Sequence, residues 1–307
     1  MKKVLITGVA GFIGSNLADR LLRQGGYEVI GIDNLAAGCR SQVPSAIEFH
    51  ELDIRDSRIY PLFQGVDTVF HLAAKNCILD CQKDPVQTAS VNILGSINVF
   101  EAAIQSNVRK MIYAESSSLY EKSALLPTPE TEMEPESFYA VSKASLRFWA
   151  QSFAKFSPMI FTALRYFCVY GPRQDYRRSV APVMSAFILQ LLQGKRPTIY
   201  GSGEKKRDFI YIDDVNDFHM RALTDPRTDH KVFNLGSGQN YSIQEIFEKI
   251  ASLLKSNLKP LYKSDLPGEA EQTLACINEA LSIGWTPKTS LEDGLWESIQ
   301  FIQENVC

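Results

Sequence analysis

Tyr139 and Lys143 stand four residues apart within a helical pattern spanning Glu136–Phe156, so they share one helix face. A lysine ammonium beside a phenol favours the phenolate, so Tyr139 is expected to titrate below its free value of about 10. A phenolate there can take a proton from an alcohol while hydride leaves the same carbon. Upstream, Ser116-Ser117-Ser118 follows the apolar run Met111–Ala114, which reads as a buried strand. A serine at such a strand end can hydrogen-bond the reacting oxygen. Nearer the start, Gly8-Val9-Ala10-Gly11-Phe12-Ile13-Gly14 lies between a predicted strand and a predicted helix. Glycines in that position give a tight turn, a close backbone approach to a pyrophosphate, and close helix–strand packing. The helix N-terminus behind them offers N–H groups and a positive dipole to the phosphates. Asp33 ends the second predicted strand with no basic neighbour in sequence. Its carboxylate can bind both ribose hydroxyls and would repel a 2′-phosphate, so NAD is expected over NADP. Asp53-Ile54 ends the third strand, where adenine would lie, although Asp53 could equally be a helix cap.

These residues must be held by something, and the pattern around them says what. β-branched runs at Lys3–Thr7, Glu28–Asp33, Ile47–Asp53, Thr68–Leu72, Lys110–Ala114 and Phe161–Arg165 alternate with helical patterns. Leu17, Leu21 and Leu22 mark one helix; Val91, Leu94, Val99 and Ala102 another; Leu146, Trp149 and Phe153 a third. This alternation predicts an α/β fold, a doubly wound parallel sheet with helices on both faces. The later chain is punctuated by Gly171-Pro172, Gly201-Ser202-Gly203, Gly236-Ser237-Gly238 and Pro267-Gly268, which predicts a smaller second lobe. With no flexible linker, the lobes are expected to pack together around a cleft.

Composition excludes several classes. The chain has 307 residues, a formal charge of −3 and an apolar fraction of 45%. No basic run suits nucleic acid or an anionic membrane, and no apolar stretch is long enough to span a bilayer. Six cysteines without a CxxC pair read as reduced thiols of a cytoplasmic protein. Cys77 and Cys81, with His71 nearby, suggest half a metal site, but no second ligand pair accompanies them, and no metal is expected.

The motifs also occur in a telling order. GxxGxxG, Asp33, Asp53-Ile54, His71-Leu72-Ala73-Ala74, Ser116, Tyr139xxxLys143 and the run Arg165–Gln174 come first. Tyr200-Gly201-Ser202-Gly203, Arg207-Asp208-Phe209, Asp213-Asp214-Val215, Asn234–Gly238 and Pro267-Gly268-Glu269 follow. Over essentially its whole length the chain resembles the extended short-chain dehydrogenase/reductases, in their nucleotide-sugar epimerase/dehydratase branch. The resemblance implies a Rossmann domain at 1–167, rejoined by 208–236, and a nucleotide-sugar lobe at 168–207 and 237–307. It implies that Ser116, Tyr139 and Lys143 are catalytic, with Lys143 also holding the nicotinamide ribose. Phe12, Ile13, Asn34, Leu72, Ala73, Ala74 and Phe167 would line NAD beside the glycines, Asp33, Asp53 and Ile54. Ser117, Cys168, Arg173, Tyr200 and Arg207 would join Ser116 and Tyr139 around the sugar nucleotide.

Related 4,6-dehydratases carry Thr-Asp-Glu where this chain has Ser116-Ser117-Ser118, so the acid and base for eliminating water are missing. The serine run is most similar to 4-epimerases acting on UDP-hexoses, N-acetylated ones included. Cys168, Glu271, Glu121 and Glu115 depart from the family pattern: they stand where an Asn, a phosphate-binding Arg, a Gly and a small residue are usual. Glu271 would repel a diphosphate unless it points away or pairs with a lysine. Glu115 could be an extra acid/base or a solvated carboxylate. The expected activity is therefore NAD-dependent 4-epimerisation of a UDP-sugar. The alternatives are an elimination or keto-sugar reduction on the same scaffold, and a non-catalytic NAD-binding protein. The helical patterns around Val86–Ala103 and Ala144–Phe156 would form a homodimer interface.

Overall fold

A computed structural model describes residues 1–177, 181–265 and 270–306. The chain runs β1 (Lys2–Thr7), α1 (Phe12–Gln24), β2 (Tyr27–Asp33), β3 (Glu48–Glu51), β4 (Thr68–His71), α2 (Ile78–Lys83), α3 (Pro85–Ala89), α4 (Ser96–Gln105), β5 (Lys110–Ser116), α5 (Phe138–Phe156) and β6 (Ile160–Tyr166). It continues through β7 (Cys168–Tyr170), α6 (Val183–Leu192), β8 (Thr198–Tyr200), β9 (Lys206–Tyr211), α7 (Ile212–Thr224), β10 (Val232–Leu235), β11 (Asn240–Ser242), α8 (Ile243–Leu253) and β12 (Leu261–Lys263), and ends with two further helices.

Seven strands form one sheet in the order β10-β6-β5-β4-β1-β2-β3, and β1 to β6 pair in parallel. This is the Rossmann arrangement that the alternation of periods predicts. Val4–Thr7 and all of β4 are buried, as befits strands covered on both faces. The strand order reverses between β1 and β4, where Thr7 pairs with His71. That reversal opens a crevice at the carboxyl ends of the strands. Under the sheet, Phe100 meets His71, Tyr113, Phe153 and Phe161 edge-on, with ring centroids 5.3–6.1 Å apart.

The Val91–Ala102 pattern does not form a single helix. A π-helical turn at Ser90–Gly95 separates α3 from α4. A Cβ on Gly95 would lie 2.7 Å from Ile54 Cδ1, so the widened turn approaches the sheet as closely as glycine allows. It also turns Asn92 inward, where it bonds both ends of the Lys75 peptide and the Ser142 hydroxyl, all within 2.8–3.0 Å.

The chain forms two compact units. The first comprises Met1–Ser123, Glu130–Tyr166 and Asn216–Asn234; the second comprises Ala124–Pro129, Phe167–Val215 and Leu235 onward. The return to the first unit thus begins at Asn216, not at residue 208. The reason is that β9 pairs with β7 and β11 in a three-stranded sheet of the second unit. Within that unit buried Asp208 accepts the N–H groups of Ser237, Gly238 and Ala275 at 2.7–3.1 Å. Among the described residues no helix is long and apolar enough to cross a membrane.

Candidate active site

The glycine turn fits a dinucleotide for steric reasons. Gly8 has φ of +77°, and a Cβ on it would stand 2.7 Å from the Ala73 nitrogen. A Cβ on Gly14 would run into the Gly8 carbonyl oxygen. Gly11 begins α1 with no side chain capping it, and the first turn holds no acid, which suits a phosphate. Phe12 and Ile13, the next two residues, are half-buried. Asp33 is buried at the end of β2. One of its oxygens accepts the Ala10 N–H at 3.0 Å and the other the Leu35 N–H at 2.8 Å. Burial pushes its carboxyl up, and the two backbone bonds pull it down. Asp33 thus fixes the glycine turn, and each oxygen keeps acceptor capacity for a ribose hydroxyl.

Asp53 does not cap a helix; Asp56 does, by accepting the Arg58 N–H. Asp53 instead holds the Arg55 guanidinium through both oxygens at 2.8 Å and accepts from Asn34 at 2.8 Å. Chiefly through Arg55, its carboxyl is held well below the usual carboxylate range. The Ile54 side chain belongs to the hydrophobic core, so only its backbone is available to a ligand. Leu72 and Ala73 are tied to Thr7 through their N–H groups, at 3.1 and 3.3 Å, and with Ala74 they are half-buried.

The residues expected to handle the proton also come together. Ser116 at the end of β5 lies near enough to the Tyr139 phenol on α5 to lower its pKa. Lys143 follows one turn later and is 2% exposed. The chain's own groups do not give the expected depressed phenol. Burial pushes Tyr139 up to about 12; Ser116 lowers it, while Cys81 and Glu121 raise it. Burial likewise brings Lys143 down to about 8, partly offset by Glu115. The expectation weighed the lysine charge and left out the cost of desolvating the phenolate.

Glu115 follows neither sequence reading. It is buried beside its cross-strand neighbour Arg165, whose Nε donates to it at 2.5 Å, and it accepts the Tyr113 hydroxyl at 3.2 Å. Arg165 also donates to the Tyr120 hydroxyl at 2.7 Å. A network that sequence reasoning missed lies next to Lys143. His71 bonds Thr7 Oγ1 at 2.7 Å and Ser96 Oγ at 2.8 Å. Burial, then the Lys143 charge, hold its imidazole at about 3, so it is neutral. His71 spends both nitrogens on these bonds, and among the described residues no cluster of His, Cys, Asp and Glu could hold a metal. The inward polar residues Asn92 and Ser96 in an apolar helical pattern are the signal that could have revealed this network.

In the second unit Phe167 is buried, and its N–H reaches the Leu235 carbonyl at 3.0 Å. Cys168 on β7 pairs with Phe209 on β9, which puts Cys168 and Arg207 on one face of the three-stranded sheet. Tyr200 ends β8 and is exposed; Arg173 has φ of +73° in the loop after β7. Glu271 does find a lysine: its carboxylate lies 3.9 Å from Lys205 Nζ, which is itself 2.7 Å from Asp265. Glu269 lies outside the described residues, as do Pro267 and Gly268.

With this geometry in view, comparison with known proteins is informative. Residues 4–236 match the NAD dependent epimerase/dehydratase family. The chain is 32% identical to the UDP-glucose 4-epimerase of Mycolicibacterium smegmatis, over 98% of each sequence. It superposes on the UDP-glucose 4-epimerase of Thermotoga maritima, solved with UDP-glucose, at TM-score 0.96 and 33% identity, over 99% of this chain and 100% of that one. A UDP-N-acetylglucosamine 4-epimerase from Methanobrevibacter ruminantium, solved with UDP-N-acetylmuramic acid, gives TM-score 0.95 and 32% identity over 99% of each chain.

Proposed function

The chain belongs to the NAD dependent epimerase/dehydratase family, and from that premise we propose that it interconverts the C4 epimers of a UDP-hexose or UDP-N-acetylhexosamine through a transient 4-keto sugar. The observation that carries the reading is Ser116 at the end of β5 beside the Tyr139 phenol, with buried Lys143 one turn further along α5. Tyr139 takes the proton from the sugar 4-hydroxyl, and Ser116 holds the same oxygen. NAD, held by the Gly8–Gly14 turn, Asp33 and Lys143, supplies a hydride acceptor, a returning hydride and a positive charge that favours the phenolate. Tyr139 gives its proton back once the keto sugar has presented its other face, so no net oxidation occurs.

Glu115 argues against elimination, because Arg165 engages it and no acid stands at positions 116–118. Ser118 Oγ is buried with no hydrogen-bond partner, which fits a polar group of the substrate beside Ser116 and Ser117. In the second unit, Cys168, Arg173, Tyr200 and Arg207 are assigned to the nucleotide and sugar. A homodimer is supported by exposed apolar residues: Val86 (80%) and Leu94 (63%) before α4, and Phe148 (60%) and Trp149 (42%) on α5. The five described cysteines are thiols, which fits a reducing cytoplasm. The test is product analysis after incubation with NAD and a panel of UDP-hexoses and UDP-N-acetylhexosamines. Equilibration of one epimer pair is expected; loss of one water, or no change on any substrate, would overturn the assignment.

A further inference from the structure

Tyr139 needs a fixed distance to Ser116, yet the two sit on elements separated by more than twenty residues of chain. Glu121 connects them. Ser116 Oγ accepts the Ser118 N–H at 3.2 Å and so starts a 3₁₀ turn over Ser117–Tyr120. Glu121 closes that turn, its N–H reaching the Ser118 carbonyl at 3.2 Å. Its carboxylate then crosses to the start of α5. One oxygen accepts the Glu136 and Ser137 N–H groups at 2.8 and 2.7 Å; the other accepts the Ser137 hydroxyl at 2.7 Å. Ser137 in turn caps α5 by accepting the Ala140 N–H at 3.1 Å. The first turn of α5 has no acid of its own, so Glu121 supplies the negative charge that a helix N-terminus favours.

We propose that Glu121 is a positioning residue for the Ser116–Tyr139 pair, its carboxylate bridging the serine turn to the first turn of the helix that carries the phenol. The inference rests on the reading of Tyr139 as the base. It predicts an electrostatic signature too. The groups bearing on the phenol are Ser116 from β5, Cys81 from α2 and Glu121 itself, while Lys143 further along α5 sits by His71 and Glu115. Of these, the Glu121 carboxylate opposes ionisation of the phenol by its charge.

Glu121→Gln tests this, because a neutral amide oxygen accepts the two N–H groups more weakly than a carboxylate oxygen does, and the amide nitrogen cannot accept the Ser137 hydroxyl. In the NAD-bound protein, hydrogen exchange at the Glu136 and Ser137 amides should speed up about tenfold or more, with the sheet amides unchanged. On the best UDP-hexose, kcat should fall on the order of ten- to a hundredfold with KM little changed. The acid limb of the rate profile should also move to lower pH, since a charge opposing the phenolate is gone. Glu121→Asp keeps the charge at shorter reach; it should restore the acid limb but not the exchange protection, and it stands in should the Gln variant fail to fold. Wild-type exchange at both amides would overturn the proposal, as would a raised KM with unchanged kcat. Failure of the epimerase reading itself shows separately, as absence of turnover in the wild type while the exchange result stands.

Discussion

At the residue scale the proposed chemistry rests on a phenol whose protein surroundings oppose its ionisation. Burial places Tyr139 at about 12, and only Ser116 works the other way among its neighbours. Tyr139→Phe keeps the ring packing and deletes the proposed base. Turnover should fall about a hundredfold to ten-thousandfold, while NAD affinity measured by titration stays at the wild-type value. Near-normal turnover would remove Tyr139 from the mechanism. The positions of Tyr139 and Lys143 on one helix, and of Ser116 and Asp33 at strand ends, were readable because each is a side-chain type at a fixed spacing or at the end of a recognisable strand. Glu115 and Glu121 were visible only as departures. Their partners, Arg165 and Ser137, lie 50 and 16 residues away, and no periodicity connects such distances. The direction of the Tyr139 shift was unreadable for a related reason: desolvation depends on everything packed around the phenol.

At the scale of elements, two histidines lock strands and helices together while uncharged. His71 joins β4 to Ser96 at the start of α4, and His219 on α7 bonds the Tyr166 hydroxyl at the end of β6 at 2.7 Å. Burial holds both near 3, against about 6.5 when unfolded. The unfolded chain therefore binds more protons between those values, and stability must fall as the pH drops from about 6.5 toward 3. Thermal midpoints should decline across that window, and His219→Gln should flatten the decline. A midpoint independent of pH there would contradict the neutral burial of both rings. β1, β4, β5 and β6 were legible because buried parallel strands are near-continuous apolar runs, whereas β3 is short and not buried; the observed ends match to within two residues. The π turn at Ser90–Gly95 was not, since its cause is contact with Ile54 from elsewhere in the chain. The same holds for β9, whose partners β7 and β11 no local pattern announces.

At the scale of the whole molecule, close glycine and proline punctuation foretold a second unit, but its borders follow strand pairing and so lay beyond local reading. Assembly is the open quantity, and the apolar face of α5 decides it. Val141 and Phe148 are seven residues apart on one stripe, both exposed, with Trp149 adjoining. Sedimentation at micromolar concentration should give the mass of two chains, and Phe148→Asp should give that of one. A monomeric wild-type protein would rule the interface out. The same face carries a built-in optical label. Of the three tryptophans, Trp285 is buried and donates to the Asp214 carbonyl, whereas Trp149 and Trp296 are exposed. If copies meet across α5, Trp149 exchanges water for side chains, and its indole emission moves to the blue. Dilution would then be followed by eye of a fluorimeter, with no dye attached and no residue changed.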